Sequence, residues 1–219
     1  MSTLKVRIPP DRQSRRSNFP SPPVDFDAWI KLSEEIDSEL VRGEVIERMS
    51  AQYPHEWIFA WLFTVLGGYV SHLELGKVLG SRSAVKISNY DGRLPDILFV
   101  SAESDRIIRK EAIYGAPDVV IEIVSGNDRP GYLKRLALDY QTVGVGEIAF
   151  VDPVKKVVRY HKKGADGYST EVISTGPLGF TAIPGFRIEV GWLFADKRPD
   201  PFTVTKQLIE ARVGLGQSN

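Results

Sequence analysis

The stretch that decides the fold is Pro117-Asp118-Val119-Val120-Ile121-Glu122-Ile123-Val124. Apolar residues occupy both faces, with Val119, Ile121 and Ile123 on one and Val120 and Val124 on the other, a pattern that suits a central parallel strand. Glu122 alone interrupts it, so a carboxylate is expected inside the core. Placing one there costs on the order of several kcal/mol unless a cation or a network of donors receives it. A metal ion would be one such cation. Upstream, Leu94-Pro95-Asp96-Ile97-Leu98-Phe99-Val100 repeats the step from Pro-Asp into an apolar strand. If the two strands are neighbours, Asp96 and Glu122 can meet.

Composition bounds the rest. The 219 residues, 42% of them hydrophobic, suffice for one well-packed domain. Lysine plus arginine number 28 and aspartate plus glutamate 28, so no global field marks nucleic acid or a membrane as partner. Such a partner would have to be met by local clusters. The chain has no cysteine, which excludes disulfides, thiolate metal sites and thiol catalysis and fits a reducing cytoplasm. Neither a signal peptide nor a membrane span is expected, because no apolar stretch approaches about 18 residues.

Residues 1–24 carry Lys5, Arg7, Arg12, Arg15 and Arg16 with five prolines and little apolar material. They read as a flexible basic tail or as a nucleic-acid-binding arm. A short helix is expected from Phe26 to Ile36 with Asp25 or Asp27 as its cap, then a hairpin over Glu39–Met49 turned at Arg42-Gly43. From Pro54 to Leu73 apolar residues recur at helical spacing, and the aromatic ones among them read as core. Short strands follow at Lys77–Leu79, Ala84–Ile87 and Ile97–Val100, and a second helix spans Pro130–Val143 and ends at Gly144. Strands at Glu147–Val151 and Lys156–Lys162 flank a turn at Asp152-Pro153, and glycine and proline turns between Thr170 and Phe194 break that segment into further short strands. This order predicts an α/β domain over residues 25–195, a mixed β-sheet flanked by helices with additional C-terminal short strands. Residues 196–219 read as a tail or short helix.

Several motifs in order resemble a known family. Gly115-Ala116-Pro117-Asp118 through Glu122-Ile123-Val124-Ser125 is followed by Tyr140-Gln141-Thr142-Val143-Gly144-Val145, then by Glu147 and Val151-Asp152-Pro153. Gly43-Glu44, Pro54-His55 and Leu94-Pro95-Asp96 precede them, and Pro184-Gly185-Phe186 and Leu193-Phe194 come after. Together they resemble the Uma-type putative restriction endonucleases of the PD-(D/E)XK nuclease superfamily, over most of the chain. The resemblance implies a restriction-endonuclease-like fold and metal-dependent cleavage of nucleic-acid phosphodiesters, with DNA the expected substrate. It makes Asp96 the first acidic metal ligand and Glu122 the second. Adjacent strands lie about 4.8 Å apart, so the two carboxylates could share a hard cation. Asp118, roughly 13 Å along the strand from Glu122, is expected to be structural or to support the ligands. Oxygen donors without cysteine favour Mg2+ or Mn2+ over zinc.

The superfamily's usual lysine, two residues after the glutamate, is replaced by Val124. In the Uma-type family the lysine commonly stands four residues before the tyrosine matching Tyr140, which here is Leu136. Lys134 and Arg135 lie beside that position, and Lys134 is either the third catalytic member or a solvated helix residue. Glu44 matches the glutamate of the family's Gly-Glu step and reads as a further ligand or as a surface carboxylate. His55 matches a family histidine and reads as a packing or capping residue, a base, or a phosphate contact.

The letters Gly144-Val145-Gly146 with Ala149 join a helix to a strand, the reverse of a dinucleotide fingerprint. Ser125 lacks the glycine of a nucleophile elbow. Lys155, Lys156, Arg159, His161, Lys162 and Lys163 cluster at one hairpin, either as edge-strand protection or as a DNA footprint. Three readings stay open: a metal-dependent nuclease, a catalytically silent nucleic-acid or protein interaction module on the same fold, and a purely structural pairing of Glu122 with an internal arginine. A homodimer would suit a two-strand break.

Overall fold

The computed structural model describes residues 22–33, 35–48, 52–80, 82–126 and 128–216. All but the last three residues of the expected basic tail lie outside these, as does Met49 at the end of the expected hairpin. The chain runs α1 (Phe26–Ser33), β1 (Ser38–Val41), β2 (Glu44–Glu47), α2 (Tyr53–His72), β3 (Gly76–Gly80), β4 (Val85–Lys86), β5 (Gly92–Arg93) and β6 (Ile97–Ser101). After a 3-10 helix at Ala102–Ile107 come β7 (Val119–Ile123), α3 (Pro130–Val143), β8 (Glu147–Asp152), β9 (Val157–Gly164) and β10 (Gly167–Ile173). The chain then forms β11 (Pro177–Gly179), β12 (Arg187–Glu189), α4 (Val190–Phe194) and α5 (Pro201–Gly216).

The fold is a mixed α/β arrangement around a six-stranded sheet of order β10-β9-β8-β7-β6-β3. β7 lies inside it, buried along its whole length. It runs parallel to β8 only, and antiparallel to β6. The expectation of a central parallel strand therefore holds on one side. Parallel pairing needs a crossover, which α3 provides between β7 and β8, whereas the chain leaving β6 passes through the 3-10 helix and a loop and returns antiparallel.

Alternation sends the two halves of β7 into two cores. Val119, Ile121 and Ile123 pack with Leu62, Leu66 and Tyr69 of α2, and with Phe99 and Ala149 of the flanking strands. Val120 and Val124 pack with Leu136, Ala137 and Tyr140 of α3 and with Leu98, Ile148 and Phe150. Each large apolar side chain so buried contributes about 2 kcal/mol. Trp57, expected in the buried stripe of α2, is instead 47% exposed and stacks on Tyr53 at 6.1 Å. The helix is apolar on more than one side and the sheet covers only one.

A smaller sheet, β2-β1-β5-β4, stands beside the large one. α1, capped by Asp25 through the Ala28 amide at 2.8 Å, buries Phe26 and Trp29 against it. It stops at Ser33, short of the expected Ile36. The β1–β2 turn falls at Arg42 and Gly43, both with positive φ (52° and 75°), the geometry that matches hairpin twist. Gly92 is required by close approach, because a Cβ there would stand 2.3 Å from the Trp29 ring. That tight fit seats the next residue, Arg93, in the interior at 1% exposure.

The segment expected as a tail or short helix forms the 16-residue α5. It buries Val204 in the α2 core, and the Trp61 indole donates to the Pro199 carbonyl at 2.7 Å beside it. Among the described residues no helix is long and apolar enough to cross a membrane.

Candidate active site

The β6–β7 register pairs Ile97 with Ile121. One step beyond that pair Asp96 comes beside Glu122, and its Oδ2 accepts the Ile123 amide at 2.8 Å. Asp96 has the parity of Leu98 and Val100, and Glu122 that of Val120 and Val124, so both carboxylates belong to the sheet face that α3 covers. They are 2% and 7% exposed. The structure thus brings together the two acidic residues that the paired Pro-Asp strands single out.

Asp96 is heavily engaged. His55, delivered by the first turn of α2, places Nε2 at 3.0 Å from Oδ2, and Arg48, just past β2, places Nη2 at 3.2 Å from Oδ1. Burial alone would raise the Asp96 pKa. The hydrogen bond and charge of His55, the charge of Arg48 and the Ile123 amide outweigh it and hold the carboxyl below the usual range. Burial likewise disfavours protonated His55, yet Asp96 and then Glu56, 3.2 Å from Nδ1, raise its pKa above 6.5. Each ring nitrogen of His55 thus faces a carboxylate.

Glu122 is in the opposite condition. Burial and then the neighbouring Asp96 charge push its pKa well above the ordinary value, against the opposing effects of the Tyr140 hydroxyl and Arg48. Tyr140, fully buried on α3, donates its hydroxyl to Oε1. A carboxyl in this position gains from any further positive charge.

Behind these residues lies a network that the sequence reading did not single out. Arg93 gives Nη1 to Glu39 Oε2 at 2.8 Å, and Nε and Nη2 to Asp139 Oδ2 at 3.0 and 2.5 Å. Tyr132 leaves its ring 38% exposed while its hydroxyl reaches Glu39 Oε2 at 3.1 Å. The Glu39 charge bears on Arg48, Glu122 and Tyr140, which puts it at the margin of the site. A sequence signal exists at Arg93, a cation between Gly92 and Leu94 at the Pro-Asp step.

The other candidates are placed elsewhere. Glu44 is exposed at the turn end of the β1–β2 hairpin, and Glu39, five residues earlier, is the hairpin carboxylate that points inward. Asp118 accepts the Ser101 amide at 2.7 Å and the Ser104 hydroxyl at 3.4 Å, tying the start of β7 to the end of β6. Lys134 is exposed and Arg135 half-buried, whereas Leu136 is 2% exposed in the α3 core. At about 100° per residue Lys134 points some 160° away from Leu136, so α3 cannot offer both to the same side. The cations bearing on Asp96 and Glu122 are His55 and Arg48. The loop after β7 borders the site through Asp128, which accepts the Ser125 amide at 2.7 Å and feels the charge of Asp96.

The donor set fits a hard cation in part. Asp96 and Glu122 supply carboxylate oxygens from adjacent strands, while no group of three His, Asp or Glu ligands converges among the described residues. Two carboxylates, with water and phosphate oxygens completing the shell, suit magnesium better than an all-protein cage.

Comparison with known proteins places the chain in a family and gives a structural neighbour for its fold. The profile of the Uma2 family, described as "Putative restriction endonuclease", matches residues 23–191. The crystal structure of a putative nuclease from Anabaena variabilis superimposes with a TM-score of 0.66, covering 78% of this chain and 98% of that one. At 21% identity this likeness establishes the fold. No curated protein matches. With more than two thirds of its length inside the family profile, the chain belongs to the Uma2 family.

Proposed function

We propose that this protein is a metal-dependent endonuclease that hydrolyses nucleic-acid phosphodiester bonds, with Asp96 and Glu122 holding Mg2+ or Mn2+. The observation that carries the proposal is the pair of buried carboxylates side by side, Glu122 on β7 and Asp96 one residue before β6, with burial and the Asp96 charge opposing ionisation of Glu122. A cation held there would polarise a phosphate oxygen and lower the pKa of an attacking water. The chain's own residues prepare that site. Tyr140 fixes Glu122, while His55 and the Ile123 amide fix Asp96, so neither carboxylate needs to reorganise. α3 and the sheet exclude bulk water from one side of both groups. DNA is the proposed substrate, and two copies of the chain would make a double-strand break; Lys134, turned outward, has no part in it.

A second reading has its own support. Leu136 and Val124, the two positions where a lysine is expected, are both buried apolar core. A catalytically silent binding module on the same fold would look like this. Incubation of plasmid DNA with the wild type and Glu122→Ala, in Mg2+ and in Mn2+, separates the two. Cleavage by the wild type alone supports the nuclease; saturable DNA binding without cleavage in either metal supports the module.

A further inference from the structure

We propose that Arg48 is the phosphate-binding cation of this site and takes the place of the lysine that α3 lacks; the inference rests on the nuclease reading above. Three observations converge on it. The helix that would deliver a lysine instead packs Leu136 into the core and points Lys134 to solvent. The guanidinium at the carboxylates is that of Arg48, whose Nη2 lies 3.2 Å from Asp96 Oδ1 and which feels the charges of Glu39, Asp96 and Glu122 together. The Arg48 side chain is 24% exposed where that of Asp96 is 3% exposed, so Arg48 links the buried carboxylate to solvent.

A guanidinium suits this task. It stays charged at any working pH, and its planar fork presents paired donors to phosphate oxygens. Arg48 follows the last residue of β2 with its backbone amide held by the Asp37 carbonyl at 2.9 Å, so its side chain can exchange Asp96 for phosphate while the hairpin stays paired. Its two contacts compete. While Arg48 pairs with Asp96 it opposes a divalent cation on the same carboxylate, and when it turns to a phosphate it releases Asp96 to that cation. Substrate and metal would thereby assist each other's binding.

The competition predicts effects of opposite sign for Arg48→Ala. Manganese, titrated calorimetrically into the full chain without DNA, binds several-fold more tightly to the variant. A fluorescein-labelled DNA duplex, followed by anisotropy in Ca2+, binds about tenfold to a hundredfold more weakly, the worth of a charged hydrogen-bonded pair. The dependence of log affinity on log salt loses about one unit of slope, as for one lost phosphate contact. Arg48→Lys restores part of the DNA affinity and the slope. Arg48→Gln, which keeps a donor for Asp96, gives the same directions and serves if the alanine variant does not fold.

Weaker manganese binding with an unchanged salt slope would overturn the inference and leave Arg48 a structural partner of Asp96. DNA cleavage that depends on Glu122 but is undiminished in Arg48→Ala would overturn it while leaving the nuclease standing. A wild type that binds no manganese with or without DNA would remove both.

Discussion

Replacing Glu122 with glutamine removes a charge that the fold opposes through burial and the neighbouring Asp96. The variant keeps the shape and an acceptor for the Tyr140 hydroxyl, and it loses the repulsion between carboxylates on adjacent strands. At a separation near 5 Å and an effective dielectric constant of about 20, that repulsion is about 3 kcal/mol, part of which Arg48 already offsets. A net gain of about 1–2 kcal/mol is therefore expected for the metal-free protein at neutral pH, or a Tm higher by about 2–8 °C in a domain of this size. The pH dependence supplies the sign check. A carboxyl whose folded pKa is raised contributes stability that is fully present below its unfolded value of 4.5 and is lost as pH rises through the folded pKa. The advantage of Glu122→Gln over the wild type should accordingly be absent near pH 4 and grow toward pH 8. Scanning calorimetry in EDTA across that range measures it. A variant less stable than the wild type at pH 8 would refute the reasoning, since it would mean that ionised Glu122 is well paired. Saturating Mn2+ should reverse the order, because only the wild type gains binding energy, about 2.7 kcal/mol at a hundredfold excess over Kd.

Four further outcomes follow from other parts of the molecule. Arg93→Met leaves Glu39 and Asp139 buried without their cation and should cost about 3–5 kcal/mol in urea unfolding. Gly92→Ala drives a methyl into Trp29 and Phe26 and should lower stability by about 1–3 kcal/mol, read by the same unfolding curves. Asp152 accepts the Val154 and Lys155 amides and the Lys155 ammonium, and although burial alone would raise its pKa, these partners hold it below 3.8. Its contribution is present above 3.8 and lost as pH falls through the folded pKa, so Asp152→Asn should be destabilised at pH 7 and match the wild type near pH 2. Lys134→Ala, at an exposed helix position, should change stability by less than about 0.5 kcal/mol and leave DNA cleavage unaltered; loss of cleavage would return Lys134 to the site.

The carboxylate pair was legible because its signal is local. An acidic residue in an otherwise apolar strand stands out by period alone, and the repeated Pro-Asp step marks the neighbouring strand. The residues around the pair were harder to read for physical reasons. Ser38, Glu39 and Leu40 are all buried, so β1 shows none of the alternation that would separate an inward glutamate from an outward one. Glu44, beside a turn glycine, stands out in the sequence, whereas Glu39 within the fully buried run does not. Arg93 and Arg48 reach the site from a second small sheet and its edge, and a docking of two sheets leaves no periodic trace. α3 was legible as a helix from its proline start and glycine end, yet which lysine faced inward depended on its rotation, and Leu136 took the inward position. The C-terminal helix reads weakly because, among its described side chains, Val204 is buried and Leu208 and Ile209 are half-covered, while Phe202 and Val213 are exposed.

The central claim is that Asp96 and Glu122 share one metal ion. Calorimetric titration of Mn2+ into the wild type, Asp96→Ala and Glu122→Ala tests it without knowledge of a target sequence. The account predicts saturable binding by the wild type that is lost in both variants while their folds persist. Binding retained in either variant, or none in the wild type even with DNA present, would contradict it.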